Sequence, residues 1–303
     1  MGKRADEMLT ILTPTYNRVH TLPRLYESLK KQKIKEFEWV IIDDGSVDNT
    51  QEQVESWILD GEIQISYYKQ RNGGKHRALN YGVTCSSYNY IYIIDSDDYM
   101  TENGTQAIFN WISEVKSNDM LAGVSGLRGR ETKNGYEIIG QFPKGKEYVD
   151  ANNLERTKFK LLGDKAEIYK KEILVKYPFP EFENENFLSE EAVWNRIAAD
   201  GFKVRWYGEV ICICEYLEDG LTKNSSDKMR LNNFQGYTYT QKVNSHLKPF
   251  PSYAFDIGEY ARLGKKRGLS NTEIMKNLDV NIFSFCLAIN VNTIRRMINL
   301  IRR

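Results

Sequence analysis

Over roughly its first 130 residues the chain alternates short apolar runs with segments of helical spacing. Residues 8–13 (MLTILT), 37–42 (FEWVII), 63–68 (IQISYY) and 90–94 (YIYII) predict strands. Between them Leu22, Leu25 and Leu29 predict a helix over residues 21–32. Asp48 or Thr50 is placed to cap a helix reaching residue 59, and Gly73-Gly74 breaks the chain before a helix over 75–83. A helix over 102–116 and a strand near 121–125 continue the alternation. This order predicts an α/β fold, a Rossmann-like, mostly parallel sheet flanked by helices.

In such sheets ligands sit off the carboxyl ends of the strands. Each of the first four predicted strands runs into a polar turn there. These are Pro14-Thr15-Tyr16-Asn17-Arg18, Asp43-Asp44-Gly45-Ser46, Arg71-Asn72-Gly73-Gly74-Lys75 and Asp95-Ser96-Asp97-Asp98. One site assembled from four loops is the economical reading. Asp95, Asp97 and Asp98 crowd three carboxylates, whose mutual repulsion a divalent cation relieves. Hard oxygen ligands suit Mg²⁺ or Mn²⁺. A single Asp-rich turn is ordinary turn chemistry, but two on one sheet edge point to a site. The glycine-rich helix start with Lys75, His76 and Arg77 suits a phosphate or diphosphate.

Beyond Arg128 the alternation stops. Residues 131–148 predict a hairpin or insertion, 166–169 a strand, 189–199 a helix, and 203–207 and 210–216 two strands; the chain is helical from about 225. Glu190 and Glu191 open the helix over 189–199. A paired carboxylate can supply a general base, although the helix dipole alone also favours acids there. Cys212 and Cys214 share one strand face without a second pair at zinc spacing, and are read as buried thiols. The expected division is a domain over 1–222, in two halves over 8–128 and 129–222, then a helical extension over 223–303.

With 42 Lys+Arg against 41 Asp+Glu the net charge is +1, which excludes a global nucleic-acid-binding charge. The balance is local, however. Residues 257–303 carry nine bases and three acids, a net +6 that leaves −5 elsewhere. Mixed with Ile282, Phe283, Ile289, Ile294 and Met297, these bases predict a basic amphipathic helix. It suits either an anionic membrane surface or docking on its own domain. No apolar run is long enough to span a bilayer, and the start of the chain lacks a signal-peptide core, so the expected location is cytoplasmic, peripheral on the inner membrane face.

Several classes fall away. Gly140 to Lys146 has phosphate-loop spacing, but Glu147 stands where Ser or Thr must ligate Mg²⁺. There is no G-x-G-x-x-G and no G-x-S-x-G, and only three His are present. The four turns in their order and spacing, with Glu190-Glu191 followed by Trp194 and Arg196, resemble the family 2 glycosyltransferases of GT-A fold. That resemblance implies metal-dependent, inverting transfer of a sugar from a nucleotide diphosphate, UDP first, to a hydroxyl of a glycan or lipid-linked acceptor. It also implies that residues 8–128 are the donor half of the domain and 129–222 the acceptor half. Bacterial surface polysaccharide assembly is its usual setting. By the same resemblance Pro14, Thr15, Tyr16, Asn17, Arg18, Asp43, Asp44, Asn72, Gly74, Lys75, Asp95 and Ser96 hold the nucleotide. Asp97 with Asp95 holds Mn²⁺ or Mg²⁺. Glu191 is the base with Glu190 as second candidate. The family more often has Asp in the second position. Rival readings are a sugar nucleotidyltransferase and a non-catalytic nucleotide-sugar-binding or scaffold protein on the same fold.

Overall fold

The computed structural model describes residues 8–133, 135–214 and 227–301. The first half runs β1 (Leu9–Thr15), α1 (Leu22–Lys30), β2 (Phe37–Asp43), α2 (Thr50–Asp60), β3 (Gln64–Lys69), α3 (Lys75–Cys85), β4 (Tyr90–Ile93), β5 (Tyr99–Met100) and α4 (Gly104–Val115). The second half runs β6 (Leu121–Thr132), β7 (Gly135–Ile138), β8 (Tyr148–Ala151), β9 (Lys165–Lys170), α5 (Lys171–Lys176), α6 (Glu191–Ala199) and β10 (Lys203–Ile213). Five helices follow: α7 (Asp227–Asn232), α8 (Phe234–Leu247), α9 (Ser252–Lys266), α10 (Asn271–Leu278) and α11 (Ile282–Ile301).

One sheet in the order β3-β2-β1-β4-β9-β6-β10-β5 forms the centre. β1 and β2 are buried along their whole length, as strands covered by helices on both faces must be. α1, α2 and α4 cover one face and α3, α5 and α6 the other. On the first face Tyr26 and Trp39 each stack on Trp57, at centroid distances of 4.4 and 5.9 Å. Such pairs add roughly 0.5–1.5 kcal/mol each beyond their buried area. The buried acid of β2 is satisfied: Glu38 accepts from Thr10 Oγ1 at 2.6 Å and Ser87 Oγ at 2.9 Å.

The parallel pairing expected from the alternation holds across β3, β2, β1 and β4. Beyond β4 the sheet is mixed, because β9 inserts antiparallel between β4 and β6. The two strands expected over 203–207 and 210–216 are one strand, β10. Register shifts between Trp206 and Val210, and between Val210 and Cys212, absorb the polar Gly208-Glu209 pair. Residues 215 and 216, and the expected boundary at 222, lie outside the described residues. α9, α10 and α11 share a separate apolar cluster built on Ile257, Tyr260, Ile274, Leu278, Phe285 and Ala288.

Candidate active site

The carboxyl ends of β1, β2 and β4 open into a cavity of about 1100 Å³. Pro14, Thr15, Tyr16 and Arg18 line it from the first turn, Asp44 from the second, and Asn72, Gly74 and Lys75 from the third. Asp95, Ser96 and Asp97 line it from the fourth, and Glu190 and Glu191 face it from the start of α6. Tyr16 is 46% exposed, an open ring at the mouth. Among the described residues, the Thr15 hydroxyl, buried in the wall, has no hydrogen-bond partner.

Two residues expected at the nucleotide are placed elsewhere and brace the loops. Asp43 is fully buried and accepts from Ser46 N at 2.7 Å and from the Tyr67 hydroxyl. Asn17 adopts a left-handed φ of 52°; its amide donates to Ser46 Oγ, and its side chain accepts from Val47 N. Asp43 thus braces the second turn against β3, and Asn17 holds the first and second turns together. Arg77 points away from the cavity, to Glu181 and the Phe182 carbonyl.

Asp44 organises the glycine turn. Its Oδ1 accepts from Gln70 Nε2 at 2.7 Å and Gly73 N at 2.9 Å, and its Oδ2 from Gly74 N at 2.7 Å. Three donors on about four lone-pair sites leave one acceptor position on Oδ2.

Lys75 ties the two acidic elements together. Its Nζ lies 2.5 Å from Asp95 Oδ1 and 2.7 Å from Glu190 Oε1. Burial works against its charge, but Asp95 and Glu190 outweigh that and raise its pKa. Arg128, which sequence reasoning missed, reaches in from β6. Its Nη1 lies 2.9 Å from Asp98 Oδ2 and 3.7 Å from Asp95 Oδ2. Burial alone would raise the Asp95 pKa, yet Lys75 and then Arg128 hold it below the usual carboxylate range. Asp97 is the contrast: burial first, then the charge of Asp95, raises its pKa. Asp95 is thus neutralised by protein cations, while among the described residues the Asp97 carboxylate has no side-chain ion pair. A carboxylate short of positive charge beside a second one, with hard oxygen donors only, fits a divalent cation.

A second cluster does not need one. Asp98, Cys212 and Cys214 converge within 4.8 Å. The Arg128 guanidinium stands among them, 3.7 Å from Cys214 Sγ, and balances Asp98. Burial pushes the Asp98 carboxyl up to about 6, with Arg128 opposing it. Both cysteines are buried, as their spacing on one strand face predicts.

The helical extension is a wall of this site rather than an appendage. Met229, Lys248, Pro249 and Ser252 line the cavity. Lys248 Nζ bridges Glu191 Oε1 at 2.8 Å and Asp256 Oδ2 at 3.0 Å, and Asn244 Nδ2 donates to Glu191 Oε2 at 3.0 Å. Asn233 Oδ1 accepts from the amides of Asn186 and Phe187, and Glu185 accepts from Gln235 N and Gly236 N at the start of α8. The segment that delivers Glu190 and Glu191 is therefore pinned from the extension. Of the aromatics in the expected acceptor segment, Phe187 lines the cavity and Phe179 is core. His246 bonds the Leu278 carbonyl, away from the acidic turn.

Residues 10–174 match the family model described as glycosyl transferase family 2. That is more than half of the chain, and the protein belongs to this family. The glycosyltransferase GlyG of Streptococcus pneumoniae is 30% identical over 119 residues, 39% of either chain. The poly(ribitol-phosphate) β-N-acetylglucosaminyltransferase TarS of Staphylococcus aureus is 29% identical over 123 residues, 40% of this chain and 22% of TarS. The matches thus span two fifths or less of these curated relatives. Among solved structures, TarS 1–349 in complex with UDP-GlcNAc aligns with a TM-score of 0.62 at 18% identity, over 93% of this chain and 78% of that one. A mannosyltransferase from Pyrobaculum calidifontis in complex with GDP-Man and Mn²⁺ aligns with a TM-score of 0.56 at 14% identity, over 94% and 79%. These likenesses show the fold, which is GT-A.

Proposed function

We propose that this protein is an inverting transferase that moves a sugar from a UDP-sugar to a hydroxyl of a bacterial surface glycan or lipid-linked acceptor. The observation that carries the reading is the Lys75 bridge, which joins the donor-side acid Asp95 to the α6 acid Glu190 inside one cavity. UDP is supported by the remaining Oδ2 acceptor position of Asp44, which suits the N3–H of uracil, and by the open ring of Tyr16. TarS, similar in sequence and fold, is named for N-acetylglucosamine transfer to poly(ribitol-phosphate). That relative supports UDP-GlcNAc as the first donor to test and a cell-wall polymer as the first acceptor.

The residues divide the work as follows. Asp44, Asn72 and the first turn hold base and ribose. A divalent cation on Asp97 and Asp95, Mn²⁺ or Mg²⁺, offsets charge on the leaving diphosphate when bound. Lys75 turns from Glu190 to the diphosphate when the donor enters. Glu190 is then released to take the acceptor hydroxyl proton as that oxygen attacks the anomeric carbon. Bond making and bond breaking on opposite faces invert the centre. Glu191, held by Lys248 and Asn244, orients this pair of acids. This assignment makes Glu190 the base, whereas the resemblance had put Glu191 first.

The test is calorimetric titration of UDP with and without Mn²⁺, on the wild type and on Asp97→Ala. The wild type is expected to bind UDP in a Mn²⁺-dependent manner. The variant is expected to lose affinity by about a hundredfold in Mn²⁺, in line with the several kcal/mol such an ion supplies. Absence of UDP binding by the wild type under both conditions sinks the UDP assignment.

We propose further that the protein works against an anionic membrane surface through α11. Ile282, Phe283, Ile289, Ile294, Met297 and Ile298 stay exposed on that helix, while Phe285 and Ala288 dock it on its own domain. The net +6 of residues 257–303 supports an anionic partner. Among the described residues no single helix is long and apolar enough to cross a membrane. The protein is expected to cosediment with phosphatidylglycerol vesicles and not with phosphatidylcholine vesicles, and Phe283→Glu is expected to abolish the binding. Equal recovery with both lipids, or with neither, overturns this placement.

A further inference from the structure

Glu167 is a carboxylate of the cavity wall with no work in the mechanism above. Glu167 lies on β9 and lines the cavity. The register fixes its place: Ile168 pairs with Tyr92 of β4, and Glu167 itself pairs with Ser125 of β6. It therefore stands beside the edge where β4 turns into Asp95 and β6 reaches Arg128. The side-chain alternation of β9 sends Ala166 and Ile168 into one apolar core and turns Glu167, with Tyr169, to the face that carries α6.

Among the described residues, the Glu167 carboxyl has no hydrogen bond and no ion pair. The nearby cations are engaged elsewhere. Arg156 donates to the carbonyls of Leu161 and Gly163, Lys165 to the carbonyls of Leu162 and Gly163, and Arg128 to Asp98 and the Lys165 carbonyl. Burial pushes the Glu167 carboxyl up to about 7, with Arg156 and Arg128 opposing the shift. A half-buried carboxyl that lines a cavity, with no protein donor on its oxygens among the described residues, is set to receive donors from a ligand.

The ligand that reaches it follows from its neighbours. Glu167 shares the cavity wall with Arg128 and Glu190 and lies within reach of their charges, and both of these adjoin the Lys75–Asp95 cluster that receives the diphosphate. The group one step beyond a diphosphate in a nucleotide-sugar is the sugar ring. We propose that Glu167 is a specificity-determining residue for the donor sugar, its two carboxylate oxygens accepting from ring hydroxyls. This rests on the nucleotide-sugar reading given above. Vicinal hydroxyls offer two donors at the spacing of two carboxylate oxygens, so the contact would also distinguish sugars by the orientation of one hydroxyl.

The experiment measures dissociation constants for UDP and for UDP-GlcNAc by calorimetry in Mn²⁺, on the wild type, Glu167→Ala and Glu167→Gln. UDP is expected to bind all three proteins equally, which also reports that the variants are folded. UDP-GlcNAc is expected to bind Glu167→Ala about ten- to a hundredfold more weakly than the wild type, the usual range for losing a hydrogen bond to a charged group. Glu167→Gln, which keeps one acceptor oxygen, is expected to fall between them. A ratio of UDP to UDP-GlcNAc affinity that is the same in Glu167→Ala and wild type overturns the inference and leaves the UDP reading intact. A wild type that binds UDP but not UDP-GlcNAc overturns it for this sugar class with the same consequence. A wild type that binds neither overturns the nucleotide-sugar reading and this inference with it.

Discussion

Glu190→Gln is expected to lower kcat for sugar transfer by about 10²–10⁴-fold, the range that a positioned general base supplies. That corresponds to about 3–5 kcal/mol of barrier. The reasoning is geometric. Glu190 sits 2.7 Å from the lysine that also holds Asp95, so it is the acid next to the donor cluster. Glu191 is held from the other side by Lys248 and Asn244, which favours an orienting role. Glu191→Gln is therefore expected to cost about tenfold or less in kcat. Gln keeps the volume and one hydrogen-bond acceptor, so both variants should bind UDP with wild-type affinity. Steady-state kinetics on the two variants, with UDP affinity as the control, decides between them. A larger kcat loss in Glu191→Gln would reverse the assignment of base and orienting acid.

Gly74→Ala is expected to damage both stability and donor binding. Gly74 has φ +95°, a region that L residues rarely adopt, and a Cβ there would come within 1.8 Å of the Asn186 carbonyl oxygen. The neighbouring atoms are backbone, so no side-chain rotation relieves the clash. Strain and forced displacement together cost roughly 2–4 kcal/mol, or a Tm lower by roughly 5–15 °C. The displaced backbone also withdraws Gly74 N from Asp44, and it pushes on the segment that carries Glu190. Gly61→Ala provides the control, because Gly61 has φ +64° but open space around its Cβ position. It is expected to cost only about 1 kcal/mol and to leave UDP affinity unchanged. Equal Tm values and equal UDP affinities for the two variants would show that the close approach to Asn186 does not constrain the site.

Much of the first half of the domain was legible because its physics is local. A parallel strand covered on both faces needs a continuous apolar run, and the residues after it must supply a turn. The runs ending at Thr13, Ile42 and Ile94 announce themselves in that way, and their polar turns fall on one edge by the rules of the fold. What local pattern does not carry is direction and neighbour. β9 reads as a short strand in any setting, and nothing in its period says that it inserts antiparallel between β4 and β6. Adjacent acids in one turn likewise look equivalent in sequence. Yet Asp43 faces inward to Ser46 and Tyr67, whereas Asp44 faces the glycine turn and the cavity.

By itself, the sequence determined the fold class, the sheet edge at which the cavity opens and the acidic turns that stand on that edge, since each depends on residues close together in the chain. Only the tertiary structure decided which acid meets which base. Lys75 meets Glu190, Arg128 meets Asp95 and Asp98, and Lys248 meets Glu191 through contacts between elements far apart in sequence. Such pairings are set by how sheet and helices pack, and they leave no periodicity to read. The same holds for Glu167, which is one polar residue in a short strand until packing places it in the cavity wall and gives its neighbouring cations to other partners.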